Sequence, residues 1–405
     1  MDVFIARQPI FDQQQRVYAY ELLYRSGQQN FCTAADLNDA SRKVIANSGL
    51  LLSTINITDG KKAFINVTRD ILLDETIELL PRDLTVVELL ETIEPEAEVI
   101  AACRKLRDAG YQLALDDFIW DARFEPLIEL ADIIKVDFLL TRGENRLKLS
   151  EQLQGKQKIL LAEKVETPEE YQEGIRLGYS LFQGYFFCKP MILSRKDLPG
   201  NKLSLLRILQ EIQQPDIDLA KLEEVIRRDL SLTYKLLRYL NSAAFQWKNE
   251  IETIRHALLL LGEKQIKKWA SLIVLTSLGS DKSEELMLRA LIRAGFCESL
   301  ASRISLPERA EDFFLTGLFS LIDAILDRPL AELLKDLPLS SDIQQAIQSH
   351  DNLLHQALQT VMAYEQGDWT TLSAQAARLK LDESQLPELY LKTVEWARQS
   401  FQAGS

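Results

Sequence analysis

Eight polar side chains recur at seven matching places in otherwise apolar stretches: Glu21, Asn66, Glu88, the adjacent Asp116 and Asp117, Lys135, Glu163 and Gln183. Four of these places supply five carboxylates; the others add amides and a single lysine. Oxygen-rich sets of this kind suit a hard divalent cation such as Mg²⁺ or Mn²⁺ rather than zinc. Adjacent carboxylates such as Asp116 and Asp117 can each reach a separate ion, or one can bridge two. Two ions roughly 3.5–4 Å apart stabilise the attacking and leaving oxygens of an in-line displacement, which points to phosphodiester hydrolysis. Any one acid alone, Glu21 included, reads equally well as a salt-bridged strand end. A buried acid without a partner or ion is costly, however, so strand after strand carrying one needs a shared explanation.

The elements that must position these groups follow from the pattern of residues 1 to 190. Strand candidates read VFIARQ, VYAYELLY, KAFINVT, LTVVELL, QLALDDF, DIIKVDF, KILLAEKV and SLFQGYFF. Amphipathic stretches lie between them, such as Glu94 to Gly110, with Ile100, Cys103, Leu106 and Ala109 at helical spacing and Gly110 as the stop. Eight strands with helical crossovers indicate an α/β barrel of the TIM type, whose strand ends converge on one mouth. The link from Asp12 to Arg16 is too short for a helix, so the first two strands are predicted to pair antiparallel. The barrel therefore carries one irregular strand.

After Pro190 the pattern changes. Residues 191–201, with Pro199 and Gly200, read as a linker, and residues 202–405 as an all-α domain. Helices are predicted from an Asp218 cap, at Ser231 to Leu240, Ile251 to Leu261 and Gln265 to Leu278. Arg227, Arg228, Lys235 and Arg238 could share a basic face, for which solvated surface is the default.

Whole-chain composition narrows the classes. The chain has 405 residues, 46% hydrophobic and 26% charged, enough for two ordinary cores. A formal charge of −13 argues against binding a nucleic-acid polymer through its phosphates. No apolar run approaches a membrane span and no leader pattern opens the chain. Cys32, Cys103, Cys188 and Cys297 lack paired or metal-finger spacing and read as free thiols of a cytoplasmic protein.

The same residues carry a family resemblance. Arg7-Gln8-Pro9-Ile10, Glu21-Leu22-Leu23-Tyr24-Arg25, Asn66 in FINVT, Glu88 and Glu91 in VVELLET, Asp116-Asp117-Phe118, Lys135 in IKVD, Glu163 in LAEKVET and Gln183-Gly184-Tyr185 resemble, in order, the motifs of the EAL domain. That resemblance implies cyclic di-GMP as substrate and linear pGpG as product. It implies that Glu21, Asn66, Glu88 and Asp116 hold one Mg²⁺ or Mn²⁺ and Asp117 a second. Lys135 and Glu163 would orient or activate water, Gln183 would support the metal-water shell, and Gln8 and Arg25 would contact the dinucleotide. Family members usually continue the aspartate pair with Gly-Thr-Gly, a loop braced by the counterpart of Glu91; here Ile119-Trp120-Asp121 follows. A β-branched residue resists the φ > 0 that glycine allows, so the loop is expected to take another path, with Trp120 packed on its own domain. Two readings stay open: a phosphodiesterase of reduced activity, or a receptor or scaffold that binds cyclic di-GMP or a protein without hydrolysis.

Residues 201 to about 278 resemble the HDOD domain, a helical output module, which implies an unidentified protein partner; a homodimer is also compatible. His350-Asp351 spells the dipeptide of HD hydrolases, but His256, His350 and His355 are the whole histidine complement. His350-Asp351 is therefore read as a helix-boundary pair and His256 as a packing residue.

Overall fold

The structure, a computed structural model, describes residues 3–26, 57–74, 76–153, 155–189, 254–337 and 339–404, together with Leu205, Leu222, Glu223, Ile226 and Leu236. The Asp218 cap, the 191–201 linker, Cys32 and the Arg227, Arg228, Lys235, Arg238 set lie outside these residues.

The N-terminal part is a closed eight-stranded barrel in sequential strand order. Strands β1 (Val3–Asp12) and β2 (Val17–Ser26) form the expected antiparallel hairpin. Its turn is fixed by Asp12, whose Oδ1 accepts from the backbone N–H of Gln14 at 2.8 Å and of Arg16 at 2.9 Å. From β2 onward β3 (Lys62–Val67), β4 (Thr85–Leu89), β5 (Gln112–Leu115), β6 (Ile133–Asp137), β7 (Ile159–Glu163) and β8 (Leu181–Gln183) pair parallel. β8 then closes on β1 antiparallel.

Described helices of this part are α1 (Arg69–Leu73), α2 (Ala97–Asp108), α3 (Glu125–Leu130), α4 (Glu144–Leu153) and α5 (Pro168–Arg176). The start of α2 falls three residues after the expected Glu94. Pro95 disfavours helical geometry at the residue before it, so the chain enters the helix only at Ala97. The buried stripe of α2 is Val99, Cys103 and Leu106, while the expected Ala109 is exposed. At α5, Thr167 and Glu170 form a reciprocal capping box that starts the helix directly after β7 and its turn.

Each strand sends one apolar side chain into a common layer: Ile10, Ala19, Phe64, Val86, Ala114, Ile133, Leu161 and Leu181. This ring is the barrel's floor, and because side chains alternate with period two, the next inward position on each strand lies one layer higher.

The described C-terminal part is helical, with α6 (Ile254–Leu278), α7 (Glu284–Arg303), α8 (Ala310–Phe319) and further helices up to Gly404. Gly262, at φ 69 and ψ 165, interrupts α6 between the two helices expected from the sequence. The chain divides into two compact units: residues 1–189 with 362–374 and 382–388, and residues 190–361 with 375–381 and 389–405. The first unit thus contains two late segments besides the barrel. Among the described residues no helix is long and apolar enough to cross a membrane, and Cys103, Cys188 and Cys297 are free thiols.

Candidate active site

Adding two to each floor position on β2 to β8 gives Glu21, Asn66, Glu88, Asp116, Lys135, Glu163 and Gln183. On the antiparallel β1 the same step runs backward, from Ile10 to Gln8, which pairs with Glu21 across the hairpin. One pleat above the apolar floor, therefore, all eight strands contribute a polar group. Asp116 falls just past β5, and its N–H still donates to Leu89 O at 3.0 Å, so the ladder continues into the site.

Lys135, only 1% exposed, sits at the centre. Its ammonium lies 2.5 Å from Glu163 Oε1, 2.8 Å from Asp116 Oδ1 and 3.7 Å from Glu21 Oε2, and it also pairs with Glu88. Burial opposes that charge, but Glu163, Glu21, Glu88 and Asp116 together outweigh it and hold the ammonium well above the usual lysine range. Burial, reinforced by Glu21, pushes the Glu88 carboxyl well above the carboxylate range. Glu163 is raised by burial against the pull of Lys135. For Asp116 burial works upward too, yet Lys135 prevails and the pKa is lowered. One ammonium cannot neutralise four buried carboxylates, so the ring keeps protons or takes a cation.

The amides organise the acids. Asn66 Nδ2 donates to Glu21 Oε1 at 3.0 Å, and Gln183 Nε2 donates to Glu21 Oε2 at 2.6 Å and to Gln8 Oε1 at 3.0 Å. Asn66 Oδ1, Gln183 Oε1 and Glu88 Oε2 are buried acceptors that no hydrogen bond satisfies, a costly state that a cation would relieve. Carboxylate oxygens of Glu21, Glu88 and Glu163 come within 4.8 Å of one another, as do those of Asp116, Asp117 and Glu163. Both sets are all-oxygen and suit a hard divalent ion.

Past the strand ends, Asp117 turns the chain at φ 39. Burial and Asp116 raise its pKa in spite of the ammonium of Lys164. None of Ile119, Trp120 and Asp121 has a positive φ, so the loop does follow a path that needs no glycine. Asp121 instead caps a short turn, accepting from Arg123 N at 2.9 Å. Trp120 packs edge-on to Phe118, with ring centroids 6.4 Å apart, while Ile119 is 70% exposed. Glu91 is exposed and lines a pocket with Asp116, Asp117, Phe118 and Ile119. Gly184 follows Gln183 because a Cβ there, at φ 144, would stand 2.1 Å from Val165 O.

Gln8 and Arg25 have protein partners from the late segments of the same unit. Gln8 Nε2 donates to Gln366 O at 3.0 Å. Arg25, 2% exposed, donates to Trp369 O at 3.3 Å, Ser373 Oγ at 3.2 Å and Glu383 Oε2 at 2.8 Å, and its guanidinium lies over the rings of Phe4 and Trp369. Two residues escaped the sequence reading, Asp137 and Lys164. Asp137 lies one pleat beyond Lys135 on β6 and Lys164 directly follows Glu163, and that nearness to the ring was the available signal.

Among the described residues no grouping able to hold an ion contains a histidine. Asp351 bonds Gln356 at 3.1 Å and Arg378 at 2.7 Å, as a helix-boundary residue would. His355 Nδ1 lies 2.9 Å from Ala346 O. His256 is exposed, contrary to the packing role expected for it: it falls on the outward face of α6, beside buried Leu258.

Comparison with known proteins finds two domain families along the chain. The model of the EAL domain matches residues 2–190 and that of the HDOD domain matches residues 198–376. The YuxH protein of Bacillus subtilis is 37% identical over 404 residues, covering 98% of each chain. The chain belongs to the EAL–HDOD family. A second relative, cyclic di-GMP phosphodiesterase CdgJ of Vibrio cholerae, is 31% identical over 398 residues, covering 98% of this chain and 92% of its own. Among solved structures, the EAL-domain protein YkuI of B. subtilis, in complex with cyclic di-GMP and calcium, is 17% identical. It covers 56% of this chain and 72% of its own, with a TM-score of 0.39.

Proposed function

We propose that the EAL barrel hydrolyses cyclic di-GMP to linear pGpG with Mg²⁺ or Mn²⁺ as cofactor. The observation that carries this reading is the single polar layer above the apolar floor, in which four strand-end acids, Glu21, Glu88, Asp116 and Glu163, face one lysine, with Asp117 directly beyond Asp116. Further support comes from the relative CdgJ, a cyclic di-GMP phosphodiesterase whose similarity runs through both domains.

Glu21, Asn66, Glu88 and Asp116 would hold the first ion and Asp117 a second. When bound, the ions stabilise charge on the attacking and leaving oxygens. The chain supplies the rest. Glu163, with its proton affinity raised by burial, is suited to take a proton from the attacking water. Lys135 stays charged and can donate to a phosphoryl oxygen as negative charge grows there. Gln183 locks Glu21 through its 2.6 Å bond and so fixes a ligand's orientation. Gln8 and Arg25 are the proposed dinucleotide contacts; a phosphate or base would replace Gln366, Trp369, Ser373 and Glu383 as their partners. Glu91, which lines a pocket with Ile119, would support the altered loop. The HDOD domain would convey the outcome to a protein partner. A nucleotide second messenger as substrate supports a cytoplasmic location for the protein.

The test is incubation of purified full-length protein with cyclic di-GMP and Mn²⁺, following pGpG, beside Glu21→Ala. Turnover that disappears in the variant establishes the enzyme. Micromolar binding without turnover would overturn hydrolysis and leave a receptor.

A further inference from the structure

Lys164 follows Glu163 at the end of β7 and leaves the barrel wall at φ 53. Its side chain turns back across the mouth. The ammonium pairs with Asp137 and lies 3.4 Å from both carboxylate oxygens of Asp117. Asp137 is a fixed anchor: it is buried, and its Oδ1 accepts from the N–H groups of Leu139 at 2.6 Å and Leu140 at 3.0 Å. Lys164 is thereby tethered at both ends of its reach, by its own backbone and by Asp137.

Asp117 is the ligand that the second ion has and the first does not. Of the two oxygen groupings, the one with Asp116, Asp117 and Glu163 contains it. We infer that the Lys164 ammonium replaces the second divalent ion at Asp117, so that this barrel binds one divalent ion tightly and a second only weakly. Both oxygens of Asp117 already face a positive charge, and a divalent ion arriving there would meet a fixed like charge within a few ångströms. Because Lys164 is 48% exposed, solvent screens that repulsion, and the second ion is weakened rather than shut out. An ammonium also brings donors that a metal lacks, so both oxygens of Asp117 have a partner before any ligand arrives.

The inference rests on the phosphodiesterase reading for the identity of the ion replaced, but its test requires no turnover. Mn²⁺ is titrated into the full chain and followed by calorimetry and by electron paramagnetic resonance, in the native protein, Lys164→Met and Lys164→Arg. The native protein and Lys164→Arg are expected to take one ion tightly and a second at least roughly tenfold more weakly. In Lys164→Met the second ion should tighten by roughly tenfold, with the spectrum of a coupled Mn²⁺ pair. Two equal ions in the native protein, or a second site unchanged by Lys164→Met with Lys164→Arg folded alongside, would overturn the role of Lys164 while leaving hydrolysis intact. Absence of any Mn²⁺ binding, joined to absence of pGpG, would overturn the phosphodiesterase reading as well.

Discussion

Glu21 and Arg25 stand four residues apart on one face of β2, yet they meet their surroundings in different ways. Glu21 belongs to a layer with too much negative charge, orphaned acceptors and one ammonium shared among four acids. Arg25, two layers higher, has both terminal nitrogens engaged by Glu383, Ser373 and Trp369 and lies over Phe4, with only its Nε left unsatisfied. The lower layer is unfinished in a way that a ligand would complete. The upper one is largely completed by the chain itself. Frustration of the first kind marks a functional site, whereas the second kind holds a side chain in place until a ligand displaces its partners.

That contrast can be broken most directly by Glu21→Ala, which should cut pGpG formation by roughly 10²–10³-fold, the range for losing one group that stabilises transition-state charge. A smaller loss would mean that the lower layer does not do the chemistry. Glu383→Ala strands a buried guanidinium and should lower unfolding free energy by about 3 kcal/mol in urea denaturation. An unshifted midpoint would show the upper layer to be as open to ligand as the lower. Next, Mn²⁺ at about 100 times its dissociation constant should stabilise the native protein by about 2.7 kcal/mol and Glu21→Ala by much less, read as a rise in Tm. With metal chelated, Glu88→Gln should raise stability by about 1 kcal/mol at neutral pH, because it removes a buried carboxylate crowded by Glu21. The smallest change belongs to Ile119→Gly, at an exposed position, with stability shifted by about 0.5 kcal/mol or less. A larger shift there would tie the altered loop to the ring.

The ring was legible because strand periodicity is local: apolar residues two apart declare an inward face, and a polar residue at the next inward step declares the mouth. The hairpin was legible for the same reason, since four residues cannot make a crossover. Arg25's partners were not, because Trp369 and Glu383 are more than 340 positions away and nothing local links them. Likewise Lys164 reads as an ordinary surface lysine until the turn at φ 53 shows which way it points. His256 was misjudged because a strongly apolar helix hides which of its faces is outward.

Because floor and ring are separated by a single pleat, the barrel has no tolerance for a shift of reading along a strand. Inserting one residue into β4 would bring Val87 or Leu89 to face the lysine and send Glu88 outward among the helices. The barrel can therefore accept substitutions within strands, and length changes only beyond them, which is where Ile119, Trp120 and Asp121 lie.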